Sequence, residues 1–132
     1  VQRKRQFIYM GQLMKVKGVQ DLIRAIGPLD ATLHIMGNGG YEDELERLAA
    51  QATRAEIIFH GWQNYDYIQQ VMKETLAVVL PTLCYEVDPL VIKEACYNCV
   101  PVITCSQGYL THRVRHNETG LIYPKGDINS IE

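Results

Sequence analysis

The chain has 132 residues, 47% hydrophobic and 21% charged, and its 13 basic and 15 acidic side chains leave a net charge of −2. That balance excludes a disordered chain, and the unpatterned 10 Gly and 5 Pro exclude collagen-like or low-complexity sequence. So small a net charge provides no field to hold a polyanion, and the one basic cluster is Arg3-Lys4-Arg5 at the start, so nucleic acid is not an expected partner.

Strand and helix signals alternate along the whole chain. Phe7–Met10 is a short apolar run closed by Gly11. Lys17–Leu29 places Val19, Leu22, Ile23 and Ile26 at i, i+3, i+4 and i+7, which predicts an amphipathic helix. Ala31–Met36 reads as a second strand ended by Gly37-Asn38-Gly39-Gly40. Tyr41–Ala52 reads as a helix with Leu45, Leu48, Ala49 and Ala52 inward. Glu56–His60 is a third strand closed by Gly61, and Tyr65–Glu74 a helix with Ile68, Val71 and Met72 on one face.

Leu76–Leu80 is a continuous apolar strand, as expected where both faces of a sheet are covered. Asp88 then offers a helix cap and Pro89 suits the first helical position. Pro101–Cys105 is a fifth strand, Leu110–Arg115 a short helix and Leu121–Tyr123 a sixth strand. Such alternation predicts an α/β fold: a Rossmann-like three-layer sandwich with a parallel sheet of about six strands.

No apolar run approaches the ~18 residues of a membrane-spanning helix, so no transmembrane segment is expected. The charged N-terminus has no apolar stretch behind it that would make a secretory signal, which predicts a cytoplasmic protein. The chain starts with Val and ends at Asp127–Glu132, which reads as the first turn of a helix cut short; residues 1–132 are expected to be one domain of a longer protein. Cys84, Cys96, Cys99 and Cys105 read as reduced, small buried side chains. Cys96-x-x-Cys99 falls at the end of a helix, where the dipole does not lower a thiol pKa, and zinc would need two further ligands.

Ligands of parallel sheets bind beyond the carboxyl ends of the strands, so the segments after each strand are where chemistry is sought. After the first strand, Gly11 permits a tight turn and Lys17 stands at a helix start, where it opposes the helix dipole. An anion above Lys17 explains that placement; a solvated surface lysine is the alternative. After the second strand, Gly37-Asn38-Gly39-Gly40 leads into a helix and presents either an anion-binding set of amides or a plain glycine turn. The stretch is no dinucleotide fingerprint, since Glu42 stands at its third glycine position and the next strand ends Phe59-His60-Gly61, without an acid. After the fourth strand, Glu86 lies in the loop and Glu94 inside the helix, two carboxylates that suit a polyhydroxylated ligand; dipole-paired and solvent-facing glutamates are the alternatives. Ser106-Gln107-Gly108-Tyr109-Leu110 offers a further set of amides after the fifth strand, and His112 and His116 take no assigned role. A cation, two glycine turns and two acids on one edge of one sheet fit a phosphate joined to a sugar.

In this order the residues resemble the donor-binding, C-terminal half of retaining GT-B glycosyltransferases of the group-one family. The resemblance runs through Phe7–Gly11 with Lys17-Gly18-Val19, Leu33–Gly39, Ile58–Gly61 and Val79–Thr82. It closes with Glu86 to Glu94 as E-x(7)-E, Val100–Ile103 and Thr119–Ile122. It implies transfer of a hexose-type sugar from a UDP-, GDP- or ADP-sugar donor, with retention of configuration, to a carbohydrate or lipid-linked acceptor held by a preceding N-terminal domain. That missing domain also leaves room for peripheral attachment to a membrane. No cofactor and no protein-bound metal is implied.

By the resemblance, Lys17 meets the donor diphosphate, Glu94 the ribose hydroxyls and Glu86 the hydroxyls of the transferred sugar, with Glu86 and Lys17 in the catalytic roles. Backbone near Gly61 and Trp62 meets the base, and Gly11, Gln12, Gly37, Asn38 and Leu90 complete the donor site. Several positions depart from the family pattern: Gln12 stands where Arg is usual, Asp88-Pro89 replaces Phe-Gly, Cys99 stands where Gly is usual, Gly108-Tyr109 replaces a Gly pair, and His112 replaces a later Glu. They support a second reading, a homologue that binds or scaffolds without catalysis. A sugar-nucleotide epimerase ranks third because of E-x(7)-E, and a nicotinamide dehydrogenase last.

Overall fold

The computed structural model describes residues 5–81, 95, 100–106 and 120–124. Its strands are β1 (Gln6–Met10), β2 (Thr32–Met36), β3 (Glu56–Gly61), β4 (Ala77–Leu80), β5 (Val102–Ser106) and β6 (Gly120–Pro124). Its helices are α1 (Val19–Ile26), α2 (Glu42–Ala49) and α3 (Tyr65–Lys73), with a 3-10 turn at Lys15–Lys17. The six strands form one sheet in the order β3-β2-β1-β4-β5-β6, every pair parallel. Sequence order runs outward from β1 to β3 and then jumps to β4 on the other side of β1. That reversal is the switch point at which such sheets open a cleft. The fold is the expected Rossmann-like sandwich.

The strand alternation divides the core in two. Tyr9, Leu33, Ile35 and Val79 face α1 and α2, meeting Val19, Leu22, Ile23, Ile26 and Leu45. Ile8, Met36, Val78, Leu80 and Val102 occupy the other face, with Met72 of α3 packed on them. Every residue of β4 is buried, as its uninterrupted apolar sequence requires. No residue of β3 is fully buried, because β3 is the sheet edge.

Most boundaries differ from the sequence reading by a residue or more, and three of the differences have a clear physical reason. The first helix starts at Val19 rather than Lys17, because Gly18 adopts a left-handed φ of 76° and separates a 3-10 turn from the helix proper. Leu76 lies before β4 and is 42% exposed, so the buried strand begins at Ala77. The second helix ends at Ala49, before the predicted Ala52, and its inward face is anchored by the fully buried Leu45, with Leu48 half-buried beside it. The helix expected at Leu110–Arg115, the Asp88-Pro89 start signal and the side chains of all four cysteines lie outside the described residues.

Candidate functional site

Three consecutive strand ends build one rim. Gly11 and Gln12 follow β1, Gly37 and Asn38 follow β2, and Trp62 and Gln63 follow β3; together they surround a cleft of about 380 Å³, with Ile68 of α3 on one side. Backbone hydrogen bonds lace the three loops together. Gly11 N–H donates to the Met36 carbonyl at 3.1 Å, Leu13 N–H to Asn38 at 3.0 Å, Tyr41 N–H to Leu13 at 3.0 Å and Gly37 N–H to Gly61 at 2.8 Å. The Tyr9 hydroxyl donates to the Gln12 carbonyl at 2.8 Å and secures the first loop from below.

Glycine is required where the loops touch. Gly37 has a φ of 138°, and a β-carbon there would collide with the Gly11 carbonyl oxygen; one on Gly39 would collide with the Leu13 backbone. Close approach of backbones therefore accounts for Gly37 and Gly39. The Gly37 amide is already committed to Gly61, and the first turn of α2 carries Glu42, Asp43 and Glu44. Those carboxylates already take the favourable end of the α2 dipole, so an anion is not expected there.

Met10, Met36 and Ile68 make the apolar part of the cleft lining, and three of its other side chains are open to solvent. Gln12 and Asn38 are exposed, and Trp62 is 74% exposed, which is unusual for the largest apolar side chain. Lys17 ends the 3-10 turn, two residues ahead of α1. Gln20 of α1 is buried and its Nε2 donates to the Lys15 carbonyl at 3.0 Å, which ties that turn to the helix. The sequence reading thus places Gly11, Gln12, Gly37, Asn38 and Trp62 around one cleft, with Gly61 at its edge through the Gly37 bond. Glu86, Leu90 and Glu94 lie outside the described residues. Among the described residues no cluster of three or more His, Cys, Asp or Glu is arranged to hold a metal ion, and no helix is long and apolar enough to cross a membrane.

A side-chain chain beneath the third loop escaped the sequence reading. The Tyr67 hydroxyl lies 3.1 Å from His60 Nδ1, His60 Nε2 lies 2.8 Å from His34 Nδ1, and His34 Nε2 lies 3.2 Å from Gln6 Oε1. With the Gln6 amide assigned so that Oε1 faces the ring, His34 carries its proton on Nε2 and accepts at Nδ1. His60 then donates from Nε2 and accepts the Tyr67 hydroxyl at Nδ1. All three bonds run in one direction, from Tyr67 to Gln6. Burial, and then the neighbouring His60, push the His34 pKa below 6.5; burial does the same for His60. The signal is two histidines on adjacent strands: His34 pairs with Ile58, and His60 lies two residues further along β3 on the same face, where it is also the extra residue between the Ile35–Phe59 and Met36–Gly61 pairs.

A family profile described as glycosyl transferases group 1 matches residues 1–132. A protein of Methanocaldococcus jannaschii named only as an uncharacterized glycosyltransferase is 33% identical over 128 residues, covering 92% of this chain and 33% of its own length. A second from the same organism, named in the same way, is 25% identical over 125 residues, covering 95% of this chain and 35% of its own. The chain thus spans about a third of the length of these relatives. Among solved structures, the Anabaena protein HepE in complex with UDP superposes with a TM-score of 0.84 at 24% identity, over 98% of this chain and 37% of HepE. Sucrose-phosphate synthase from Thermosynechococcus elongatus superposes with a TM-score of 0.83 at 24% identity, over 97% of this chain and 34% of that protein.

Proposed function

The chain belongs to the group 1 glycosyl transferases, and from that premise we propose that its cleft receives the nucleoside diphosphate sugar donor of a retaining, hexosyl-type transferase. The observation that carries this reading is the cleft itself: an open site of about 380 Å³ beyond three parallel strand ends, with Trp62, Asn38 and Gln12 presented to solvent. Trp62 offers a flat face for a base. Gln12 and Asn38 offer amides to ribose or phosphate oxygens. The complex of HepE with UDP adds support, because that protein shares this fold.

In this proposal Lys17 neutralises charge on the diphosphate, Glu94 accepts hydrogen bonds from the ribose hydroxyls and Glu86 does so from the transferred sugar. The bond from the anomeric carbon to the diphosphate oxygen breaks as positive charge grows on the sugar ring. A fixed cation beside the departing diphosphate stabilises that separation. The acceptor, carbohydrate or lipid-linked, is held by a domain outside this chain. No protein-bound metal or cofactor enters the proposal, and the site of action is the cytoplasm, at a membrane if the remaining domain supplies the attachment.

Calorimetric titration with UDP, GDP and ADP tests the donor site. One of the three is expected to bind, and Glu94→Ala is expected to weaken it by about 1.5–3 kcal/mol, the value of hydrogen bonds to a charged acceptor. Binding of none would remove the donor reading. Gln12 favours the second reading, a homologue that binds the nucleotide without turning it over, because it supplies no positive charge on the rim. Transfer or donor hydrolysis by the full-length protein separates the two.

A further inference from the structure

His60 holds an unusual position. It is the extra residue of β3 at the irregularity opposite Ile35 and Met36, so it is left out of the register with β2. Extra residues of this kind re-aim a strand end, often beside a functional site. Three contacts fix His60 instead. Its ring bonds His34 on β2 and Tyr67 on α3, and its carbonyl accepts from Gln63 Nε2 at 2.8 Å. Gln63 and Trp62 form the third wall of the cleft. Gly61 is held by the Gly37 N–H, so what His60 holds is the side of the wall beyond it, through Gln63, and His34 in turn holds the His60 ring.

We propose that the Tyr67–His60–His34–Gln6 chain is a positioning device for the cleft wall at Trp62 and Gln63, and that acid loosens this wall and weakens ligand binding. The proposal rests on the nucleotide reading of the cleft for its ligand, though not for the movement of the wall.

The chain responds to protons in two steps. One added proton makes His34 a double donor, to His60 Nε2 and to Gln6 Oε1. The proton of His60 then sits on Nδ1, and the Tyr67 hydroxyl must turn to accept it. A second proton leaves two N–H groups facing each other across 2.8 Å. Neither can accept, so the His34–His60 bond is lost and His60 is no longer held. Among the described residues, Glu56 of β3 and Glu74 after α3 favour charged His34, while Gln6 of β1 and Tyr67 of α3 present neutral groups. Burial of both rings opposes the charge and keeps the device in its neutral form near pH 7.

Trp62 is the single tryptophan, so its emission reports the wall without any ligand. The experiment measures Trp62 emission and UDP affinity between about pH 8 and pH 5 in the parent protein, His34→Gln and His34→Leu, with circular dichroism confirming the fold at each pH. The UDP phosphate itself titrates near pH 6, so affinities are compared between proteins at the same pH. In the parent, emission is expected to change with a midpoint below 6.5. Relative to His34→Gln, parent affinity should fall by about three- to tenfold across the same interval, the tenfold limit corresponding to about 1.4 kcal/mol. His34→Gln, which can still accept from His60, keeps neutral-pH affinity. His34→Leu cannot, and should show the acid-form emission and weakened UDP binding already at neutral pH.

A folded His34→Leu that matches the parent in emission and affinity at every pH overturns the proposal. If the parent binds no UDP while emission titrates and His34→Leu mimics acid, the nucleotide reading fails and the positioning device stands. If UDP binds well but neither variant nor pH moves emission or relative affinity, the device fails and the nucleotide reading stands. Should His34→Leu not fold, Tyr67→Phe takes its place: it removes only the hydroxyl bonded to His60, and parent-like emission in that variant overturns the proposal equally.

Discussion

Gly37 stands so close to Gly11 that the carbonyl oxygen of Gly11 occupies the space a Gly37 β-carbon would need. The two loops they begin are thereby pressed together, and the cleft has a narrow, fixed floor.

Gly37→Ala is expected to destabilise the protein by more than about 2 kcal/mol, because it combines a φ of 138° with a collision against backbone. Gly40→Ala is the control: nothing lies within 4 Å of the added carbon, and the change should stay within about 0.5 kcal/mol. Urea unfolding of the two variants measures the difference.

Leu45→Ala should cost about 2–5 kcal/mol, as truncation of a fully buried side chain does. Leu48→Ala, one turn on but half-buried, should cost about 1 kcal/mol. Equal losses in chemical denaturation would mean that α2 does not pack through Leu45.

Lys17, Gln12 and Trp62 are separable by comparing UDP with uridine. Lys17→Ala should weaken UDP binding by about 1.5–3 kcal/mol with little effect on uridine. Gln12→Arg should tighten UDP selectively, by a margin that shrinks with added salt. Trp62→Ala should weaken both ligands alike, by about 1–3 kcal/mol, since stacking involves the base alone. Calorimetry on the three variants decides the assignments, and equal changes of both ligands on altering Lys17 or Gln12 would place those residues away from the phosphates.

Folding stability should depend on pH through the same two histidines. Both have folded pKa values below the 6.5 of an open chain, so in mild acid the unfolded state binds more protons than the folded one. The contribution is complete above about pH 6.5 and declines as pH falls through the lowered values. Both rings are partly exposed, so the decline is shallow. Unfolding midpoints of the parent and His34→Gln across pH 5 to 8 provide the check; the variant should show the flatter profile.

The architecture was legible because each βαβ step writes its period into the sequence. β4 is recognisable from its unbroken apolar run, and α1 from Val19, Leu22, Ile23 and Ile26. What misled was local: Gly18 looks helical by neighbourhood but is left-handed in fact, which moves Lys17 out of the helix and into the turn before it. Gly11 and Asn38 were legible as cleft residues because parallel sheets open beyond their strand ends, whereas Gln12 and Trp62 came from the family resemblance. Gly39 was not legible as a packing residue, since nothing in sequence brings it against Leu13. His34 and His60 were invisible for a related reason: they are 26 positions apart, and only the pairing of β2 with β3 brings their rings together.

The rim is tied by main-chain atoms, while Gln12, Asn38 and Trp62 take no part in that lacing except through their backbones. Architecture and selectivity are thereby written in different atoms. The exposed side chains can be exchanged, by drift or by design, without unpicking the bonds that keep the cleft open. A chain built this way can change the side chains of its rim in single steps while its fold stays the same, so directed variation at positions 12, 38 and 62 is the economical route to altering what the cleft accepts.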